Sequence, residues 1–319
     1  MKTIALEEHF VTSDYLKATG AYGSGPYAEL RPKLLDLGQG RIAAMDESGI
    51  DLQILSAAAM GFETLNATTC TALAGSMNDE LAAAIAAHPT RFGGFAMLPM
   101  KDPQAAAKEL ERCVTQLEFA GAMIAGTIDG LFLDAPRFLP VLEAAVHFDV
   151  PIYVHPAPPS DDVMRAYYSG LPDAIGRILS VAGWGWHAET GLHTLRLICS
   201  GVFDRLPELQ IIIGHMGEGL PYALARSSAM LSGAAKLPQS VADYFKTNVW
   251  VTTSGYFSLP PFECALAVLG IDRLMYSVDY PFSPNTRGKS FLQTAATVVD
   301  ESAMRKLTHE NARRVLRLP

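Results

Sequence analysis

The sequence has few cysteines, no excess of basic residues and no long apolar run. Its four cysteines, in 319 residues, form no Cys-x-x-Cys pair, which favours free thiols in a reducing compartment over a disulfide framework. The net charge of −8 argues against a nucleic-acid partner, because proteins that bind nucleic acids usually have a basic face. No stretch approaches the ~20 apolar residues of a membrane span, and the first residues lack the pattern of a signal peptide. We therefore expect a cytoplasmic protein with neither a nucleic acid nor a membrane as partner.

Short apolar runs alternate with helix-patterned segments along the chain. Runs rich in Ile, Val and Leu are typical of strands covered on both faces. Eight strands are predicted, at residues 3–7, 51–56, 92–98, 121–125, 152–155, 210–214, 249–253 and 274–278. Helical patterns lie between most of them, at residues 41–48, 65–88, 103–117, 138–148, 190–203, 222–230 and 260–269, and a last one at 311–318.

Eight strand–helix repeats predict an α/β fold, a (β/α)₈ TIM-type barrel that forms one domain over residues 1–319. An open doubly wound sheet is the alternative. No Gly-x-Gly-x-x-Gly motif follows the first strand, as it often does in such sheets when they bind dinucleotides. Irregular stretches at residues 22–35, 57–66 and 156–185 follow predicted strands and are expected to lie over the mouth of the barrel.

Acidic and imidazole side chains stand where four of the apolar runs stop. Glu7 and His9 end the first run, His155 ends the fifth, His215 follows the sixth and Asp279 follows the eighth. The carboxyl ends of barrel strands converge on one face, and that face carries the active site of such folds. We therefore expect these five side chains to meet at the barrel mouth.

The spacing of the first pair predicts a metal site. Residues two apart on a strand point to the same side, so Glu7 and His9 aim together, while Glu8 points toward the helix layer or a salt bridge. With His155 and Asp279 they provide two carboxylates and two imidazoles. This set suits one divalent cation such as Zn²⁺ or Mn²⁺, which would also neutralise acids that are costly to bury.

Several segments resemble the metal-dependent decarboxylases of the amidohydrolase superfamily, such as γ-resorcylate decarboxylase and 2,3-dihydroxybenzoate decarboxylase. The first set is ALEEHF, VHP, IIIGHMGEGLPYALAR, VTTSGYF and YSVDYPF. RIAAMDESGIDLQILS and NDELAAAIAAHPTRFGGFAMLPMKDP resemble the second and third units of the same family. The resemblance implies a (β/α)₈ barrel whose single divalent ion is held by Glu7, His9, His155 and Asp279.

The resemblance also implies roles for the remaining polar residues. His215 and Glu218 match the family's acid/base pair, and Asp279 matches the proton donor. Arg226 matches a basic residue on the following helix and is expected to contact the substrate. From the residues alone, Glu218 lies three positions after His215 and is expected to orient its ring or to cap the next helix.

Aromatic side chains near the mouth are expected to contact an aromatic acid. Phe282 follows the last strand, and Trp184 and Trp186 lie in the stretch before the helix predicted at residues 190–203. Stacking on a substrate ring and packing within the loop are the two alternatives for the tryptophans. His187, the next residue, either lines a pocket or occupies a packed position.

The first functional hypothesis is a metal-dependent, non-oxidative decarboxylase of a hydroxylated aromatic acid, in which ring protonation precedes loss of CO₂. The second is a hydrolase of a lactone or amide, in which metal-bound water attacks, Asp279 takes its proton and His215 polarises the carbonyl. The third is a metal-binding barrel without catalysis, against which the separate His215–Glu218 pair argues. Relatives form dimers or tetramers, so a homo-oligomer is expected, with residues 235–241 as a candidate contact.

Overall fold

The strands follow one another around a parallel barrel. The computed structural model describes residues 2–23, 27–58 and 60–318; residues 24–26 and 59 of the predicted mouth stretches lie outside this range. Its strands are β1 (Ile4–Phe10), β2 (Leu52–Ala57), β3 (Phe92–Gly94), β4 (Ala96–Met97), β5 (Ala122–Ala125), β6 (Ile152–His155), β7 (Ile211–Ile213), β8 (Val249–Thr252) and β9 (Leu274–Met275). β1, β2 and β3 pair in that order, and β4 to β9 pair consecutively, all in parallel.

Backbone hydrogen bonds join these two ladders into one ring. The amide of Phe95, between β3 and β4, donates to the carbonyl of Leu55 in β2 at 2.8 Å, so β3 and β4 are two parts of one barrel strand. At the other seam, the amide of His9 donates to the carbonyl of Tyr280 at 2.6 Å, and Glu8 forms a parallel bridge with Tyr280. The predicted eight-stranded barrel is therefore confirmed, with its third strand interrupted.

Helices follow most of the strands. They are α1 (Ser13–Thr19), α2 (Arg31–Leu35), α3 (Gln39–Ser48), α4 (Ala67–Ala87), α5 (Pro103–Gln116), α6 (Leu139–His147), α7 (Asp161–Tyr167), α8 (Asp173–Ser180), α9 (Gly185–Cys199), α10 (Val202–Arg205), α11 (His215–Glu218), α12 (Leu220–Ala235), α13 (Val241–Asn248), α14 (Leu259–Leu269), α15 (Asn285–Ala295), α16 (Glu301–Arg305) and α17 (Asn311–Leu316). None of the helices in the described ranges is long and apolar enough to cross a membrane.

Two helices, α7 and α8, lie within the stretch at 156–185 that was predicted as irregular. The helix predicted at 190–203 begins at Gly185, so Trp186 and His187 are helical. α7 and α8 are only seven and eight residues long, so each gives a weak sequence signal. α9 begins with Gly185, a poor helix former that does not mark a helix start.

A register shift in β1 sets which side chains reach the mouth. Ile4 and Leu6 belong to the apolar cluster that fills the barrel interior. The pairing of β1 with β2 is irregular between Ala5 and Glu8, which marks a bulge and changes the phase of the strand. As a result of this change of phase, Glu7 and His9 face the barrel mouth.

Candidate metal centre and active site

Four ligand-type side chains meet at the carboxyl end of the barrel. Glu7 and His9 lie on β1, His155 ends β6, and Asp279 follows β9. One oxygen or nitrogen atom of each lies within 4.8 Å of the others. His155 Nε2 is 3.1 Å from Glu7 Oε1, and His9 Nε2 is 3.2 Å from Asp279 Oδ1. The structure thus brings together the four residues predicted as metal ligands.

Two buried atoms of this cluster, Glu7 Oε1 and His9 Nε2, have no hydrogen-bond partner among the described residues. Buried polar atoms are nearly always paired, because leaving one unpaired costs about 1–3 kcal/mol. A divalent cation between the four side chains would satisfy both atoms and would offset the charges of Glu7 and Asp279. The donor set therefore fits a divalent metal ion.

The second oxygen of Glu7 is held by hydroxyl groups. Tyr153 and Ser254 both donate to Glu7 Oε2, and the hydroxyl groups of Tyr153 and Thr252 are 2.7 Å apart. Burial raises the pKa of Glu7, but the charges of His215, His155 and His9 outweigh it and hold that pKa well below its usual value. Glu7 is therefore an ionised carboxylate whose Oε1 is directed at the other three side chains.

The two histidines of the cluster are oriented through their Nδ1 atoms. His155 Nδ1 lies 2.7 Å from the carbonyl of Pro156, which can only accept, so this nitrogen donates. His9 Nδ1 lies 3.3 Å from the hydroxyl of Ser56. Second contacts of this kind are typical of metal-binding histidines, because they fix the ring and direct Nε2 toward the metal.

A second polar cluster adjoins the first. Glu218 contacts two histidines: its Oε1 is 2.8 Å from His215 Nδ1, and its Oε2 is 2.6 Å from His187 Nδ1. Trp186 Nε1 donates to His187 Nε2 at 3.1 Å. His215 Nε2 faces the first cluster, 3.6 Å from Glu7 Oε1 and 3.9 Å from Asp279 Oδ2. Both oxygens of Glu218 are therefore paired with imidazole nitrogens, unlike Glu7 Oε1 in the first cluster.

The charge of His215 follows from these neighbours. Burial lowers the pKa of His215, but the charges of Glu218 and Glu7 outweigh it and raise that pKa well above its usual value. Glu218 was expected to orient the His215 ring or to cap the next helix. Its side chain contacts His215 Nδ1, and none of the described side chains caps α12. For His187, lining a pocket and occupying a packed position were the two alternatives. Both apply, because the side chain lines the cavity and is held by Glu218.

The turn after β7 explains the Gly-His-Met-Gly-Glu-Gly sequence. His215, Met216 and Glu218 adopt left-handed backbone conformations, with φ of +50°, +56° and +55°. A Cβ atom at Gly214 would come within 2.5 Å of Glu7 Oε2. This position therefore requires glycine, and the turn brings His215 close to Glu7 at the cost of local strain.

Glu8 holds the segment that carries Asp279. The carboxyl group of fully buried Glu8 accepts from the amides of Val278 at 2.9 Å and Tyr280 at 3.1 Å, and from the Ser277 hydroxyl at 3.2 Å; burial raises its pKa to about 8. Asp279, between the two amides, has a φ of +71°. Glu8 was expected to point toward the helix layer or a salt bridge. Its main role is different, because Glu8 binds backbone amides of the segment that follows β9.

A cavity of about 600 Å³ opens above both clusters. His9, His155, His215 and Asp279 line it, as do Trp186 and Phe282. The structure does not bring the other two predicted substrate contacts to this cavity. Trp184 precedes α9 and is 62% exposed, and Arg226 lies on an exposed face of α12. Both expectations are corrected: Arg226 lies on the outward face of α12, and Trp184 lies in the exposed turn before α9.

The family model of the amidohydrolases matches residues 32–318. This match covers most of the chain. The chain belongs to the amidohydrolase family.

Characterised decarboxylases are similar to the chain over nearly its whole length. The decarboxylase orsB of Emericella nidulans is 38% identical over 325 residues, which cover 99% of this chain and 97% of that protein. A gamma-resorcylate decarboxylase of Polaromonas sp. is 38% identical over 328 residues, or 99% and 98% of the two chains. A solved dihydroxybenzoic acid decarboxylase from Polaromonas sp. JS666, with bound manganese and the inhibitor 2-nitroresorcinol, superposes with a TM-score of 0.90. It is 36% identical and covers 99% of this chain and 97% of that one.

Proposed function

We propose that the protein is a metal-dependent, non-oxidative decarboxylase of a hydroxylated aromatic acid. The observation that carries this proposal is the convergence of Glu7, His9, His155 and Asp279, with two buried ligand atoms left unpaired. The decarboxylases to which the chain is similar support the reaction class. One barrel domain over residues 1–319 would carry the whole site.

The four converging side chains would hold one divalent ion, Mn²⁺ or Zn²⁺. When bound, the ion would supply positive charge for the substrate's carboxylate and an ortho hydroxyl. Manganese in the related Polaromonas structure supports this assignment. Tyr153 and Ser254 keep Glu7 Oε1 free for this role by binding its other oxygen.

Asp279 is the proposed proton donor. Direct loss of CO₂ would leave an unstable aryl carbanion, so the ring carbon that bears the carboxylate must be protonated first. Asp279, which must carry a proton when the substrate is bound, transfers it to this carbon; the new C–H bond forms and Asp279 becomes a carboxylate. The carbon–carbon bond to the carboxylate then breaks, its electron pair returns to the ring, CO₂ is released, and the product is a phenol. Asp279 lines the cavity and is 17% exposed, so it can regain a proton from solvent.

His215 and Glu218 would act beside this donor. His215 Nε2 is 3.9 Å from Asp279 Oδ2, within reach of the substrate carboxylate that the cavity would admit. Glu218 keeps His215 cationic and fixes its ring through Nδ1. His187 shares the same carboxylate, so it would limit how far Glu218 can turn.

The test is a panel of hydroxybenzoates assayed for CO₂ and phenol, with chelator-treated protein and after addition of Mn²⁺ or Zn²⁺. We expect turnover that requires the metal. Asp279→Asn should lower kcat by about a hundredfold to ten-thousandfold, whereas Asp162→Asn, at an 88% exposed position, should not. Hydrolysis of lactones or amides with no turnover of any aromatic acid would refute the proposal, as would full activity of metal-free protein.

A homo-oligomer, a dimer or a tetramer, in the cytoplasm is proposed as the working form. Ile175 and Ile178 are 55% and 62% exposed and lie three residues apart, on one face of α8. Neighbouring Trp184 is also 62% exposed. Clustered exposed apolar side chains favour a protein contact. Light scattering on the purified protein measures its mass, and a monomer at micromolar concentration would contradict this part of the proposal.

A further inference from the structure

The cavity wall is divided into a polar part and an apolar part along the barrel. Metal-ligand and histidine side chains come from β1, β6, the turn after β7 and the segment after β9. Between β1 and β6 the remaining arc of the barrel is formed by β2, by the strand that β3 and β4 share, and by β5, with the loops that follow them. We define the apolar wall as the hydrophobic side chains that this arc presents to the cavity: Ala57, Ala58, Met60, Phe62, Met97, Leu98, Met100, Met123, Ile124, Ala125 and Ile128.

The charged residues that this arc presents to the cavity are Glu63, Lys101 and Asp129, of which Glu63 and Asp129 are exposed; the arc also presents the half-buried Thr127. Lys101 donates to the carbonyl of Glu63 at 2.7 Å and lies 3.6 Å from Asp129. Asp129 is 48% exposed, which puts this group at the outer rim. Met97, Met100 and Met123, in contrast, are at most 6% exposed. The deep part of the arc is therefore hydrophobic.

The cavity is larger than a dihydroxybenzoate needs. A cavity of about 150 Å³ is enough to hold a benzene ring, while the volume here is about 600 Å³. If the carboxylate and its ortho hydroxyl lie on the polar arc, the opposite ring edge faces the apolar wall. Four methionines in that wall can adapt to different apolar shapes, because the side chain is unbranched and flexible.

We propose that the substrate is a hydroxylated aromatic acid with a hydrocarbon substituent of several carbons on the ring edge remote from the carboxylate. The substituent lies against the apolar wall, and its burial contributes to specificity. This inference rests on the proposed decarboxylase function and specifies its substrate class.

The test compares 2,6-dihydroxybenzoate with its 4-methyl, 4-propyl and 4-pentyl derivatives in the metal-loaded protein. We expect kcat/KM to rise about fourfold for each methylene buried. A 4-(2-hydroxyethyl) derivative, close in length to the propyl compound, should lose most of that gain. If the unsubstituted acid is turned over as well as or better than the alkyl derivatives, this inference is wrong and the proposed function stands. If no member is turned over, the proposed function fails, and this inference with it.

Variants of the apolar wall locate the effect. Met123→Gln should lower the ratio of kcat/KM for the pentyl compound to kcat/KM for the unsubstituted acid about tenfold; Met100→Gln serves the same purpose if the first variant does not fold. Met230→Gln, at a 56% exposed position on α12, is the matched control and should leave the ratio unchanged. An unchanged ratio in both wall variants would overturn the inference.

Discussion

Glu8 connects the first strand to the segment that carries Asp279, and replacing it with glutamine tests that connection. Oε1 of Glu8 accepts from the amide of Val278, and Oε2 accepts from the amide of Tyr280. Glu8→Gln keeps the size of the side chain but replaces one oxygen with an NH₂ group, which cannot accept. One of the two amides must then lose its partner. We expect the variant to lose stability and metal affinity together.

The size of the effect follows from which donors can find a new acceptor. The hydroxyl of Ser277 can rotate and the amide of Gln53 can turn over, so both can form other hydrogen bonds. A backbone amide fixed in the barrel cannot move in this way. One buried unpaired amide costs about 1–3 kcal/mol, and this is the expected loss in the free energy of unfolding.

Urea unfolding and titration with Mn²⁺ measure the two effects. Asn248→Ala is the control, because buried Asn248 donates to the carbonyls of Pro207 and Leu209 at 2.9 Å, far from the metal ligands in the fold. It should lose stability but keep metal affinity. If Glu8→Gln unfolds within about 0.5 kcal/mol of the wild type, or loses stability with unchanged Mn²⁺ affinity, then Glu8 does not position Asp279.

Two further predictions concern other buried side chains. Tyr153→Phe removes a hydroxyl that donates to Glu7, so affinity for Mn²⁺ should fall about tenfold to a hundredfold in a titration. Tyr167→Phe, at a 74% exposed position, is the control and should not change the affinity. Equal affinities in the wild type and both variants would contradict this role of Tyr153. His193 accepts from the amide of Leu133 at 3.0 Å, and burial lowers its pKa from 6.5 to about 4. The unfolded chain therefore takes up this proton first, so stability should fall by roughly 3 kcal/mol as pH decreases from 6.5 to 4. His193→Gln should flatten that part of the urea-unfolding profile. A slope that does not change in this variant would show that His193 takes up its proton equally readily in the folded and the unfolded chain, which would refute the prediction.

The barrel and the convergence of Glu7, His9, His155 and Asp279 could be predicted because both depend on local sequence. Parallel strands buried on two faces produce apolar runs, and polar residues directly after them must lie at one end of a barrel. Spacing alone does not decide the phase of a strand, however. Ile4 and Leu6 already face the interior, so simple alternation would have directed Glu8 rather than Glu7 to the mouth. A bulge reverses the phase, and its signal is the unusual Glu-Glu-His sequence itself.

The contacts that sequence reasoning missed depend on how distant segments meet. His187 joins Glu218 because α9 begins five residues earlier than its apolar pattern indicates, and that start depends on tertiary packing. Arg226 was placed by its match to a family motif, whereas its helix position leaves it exposed. Glu8 lies 270 positions before Val278, and no local pattern could show that they bond.

The metal site and the closure of the barrel depend on the same seam. β9 is two residues long, and in the described chain its extension meets β1 through the bridge between Glu8 and Tyr280. Side chains strengthen this short ladder: Glu8 binds two amides beyond β9, and Ser277 Oγ accepts from the amide of Glu7 at 2.7 Å. A cation shared by Glu7, His9 and Asp279 would add another link across the same seam. Glu7 and Glu8 thus face opposite ways: Glu8 binds the backbone on both sides of Asp279, and Glu7 faces the site at which that aspartate would share a cation with it.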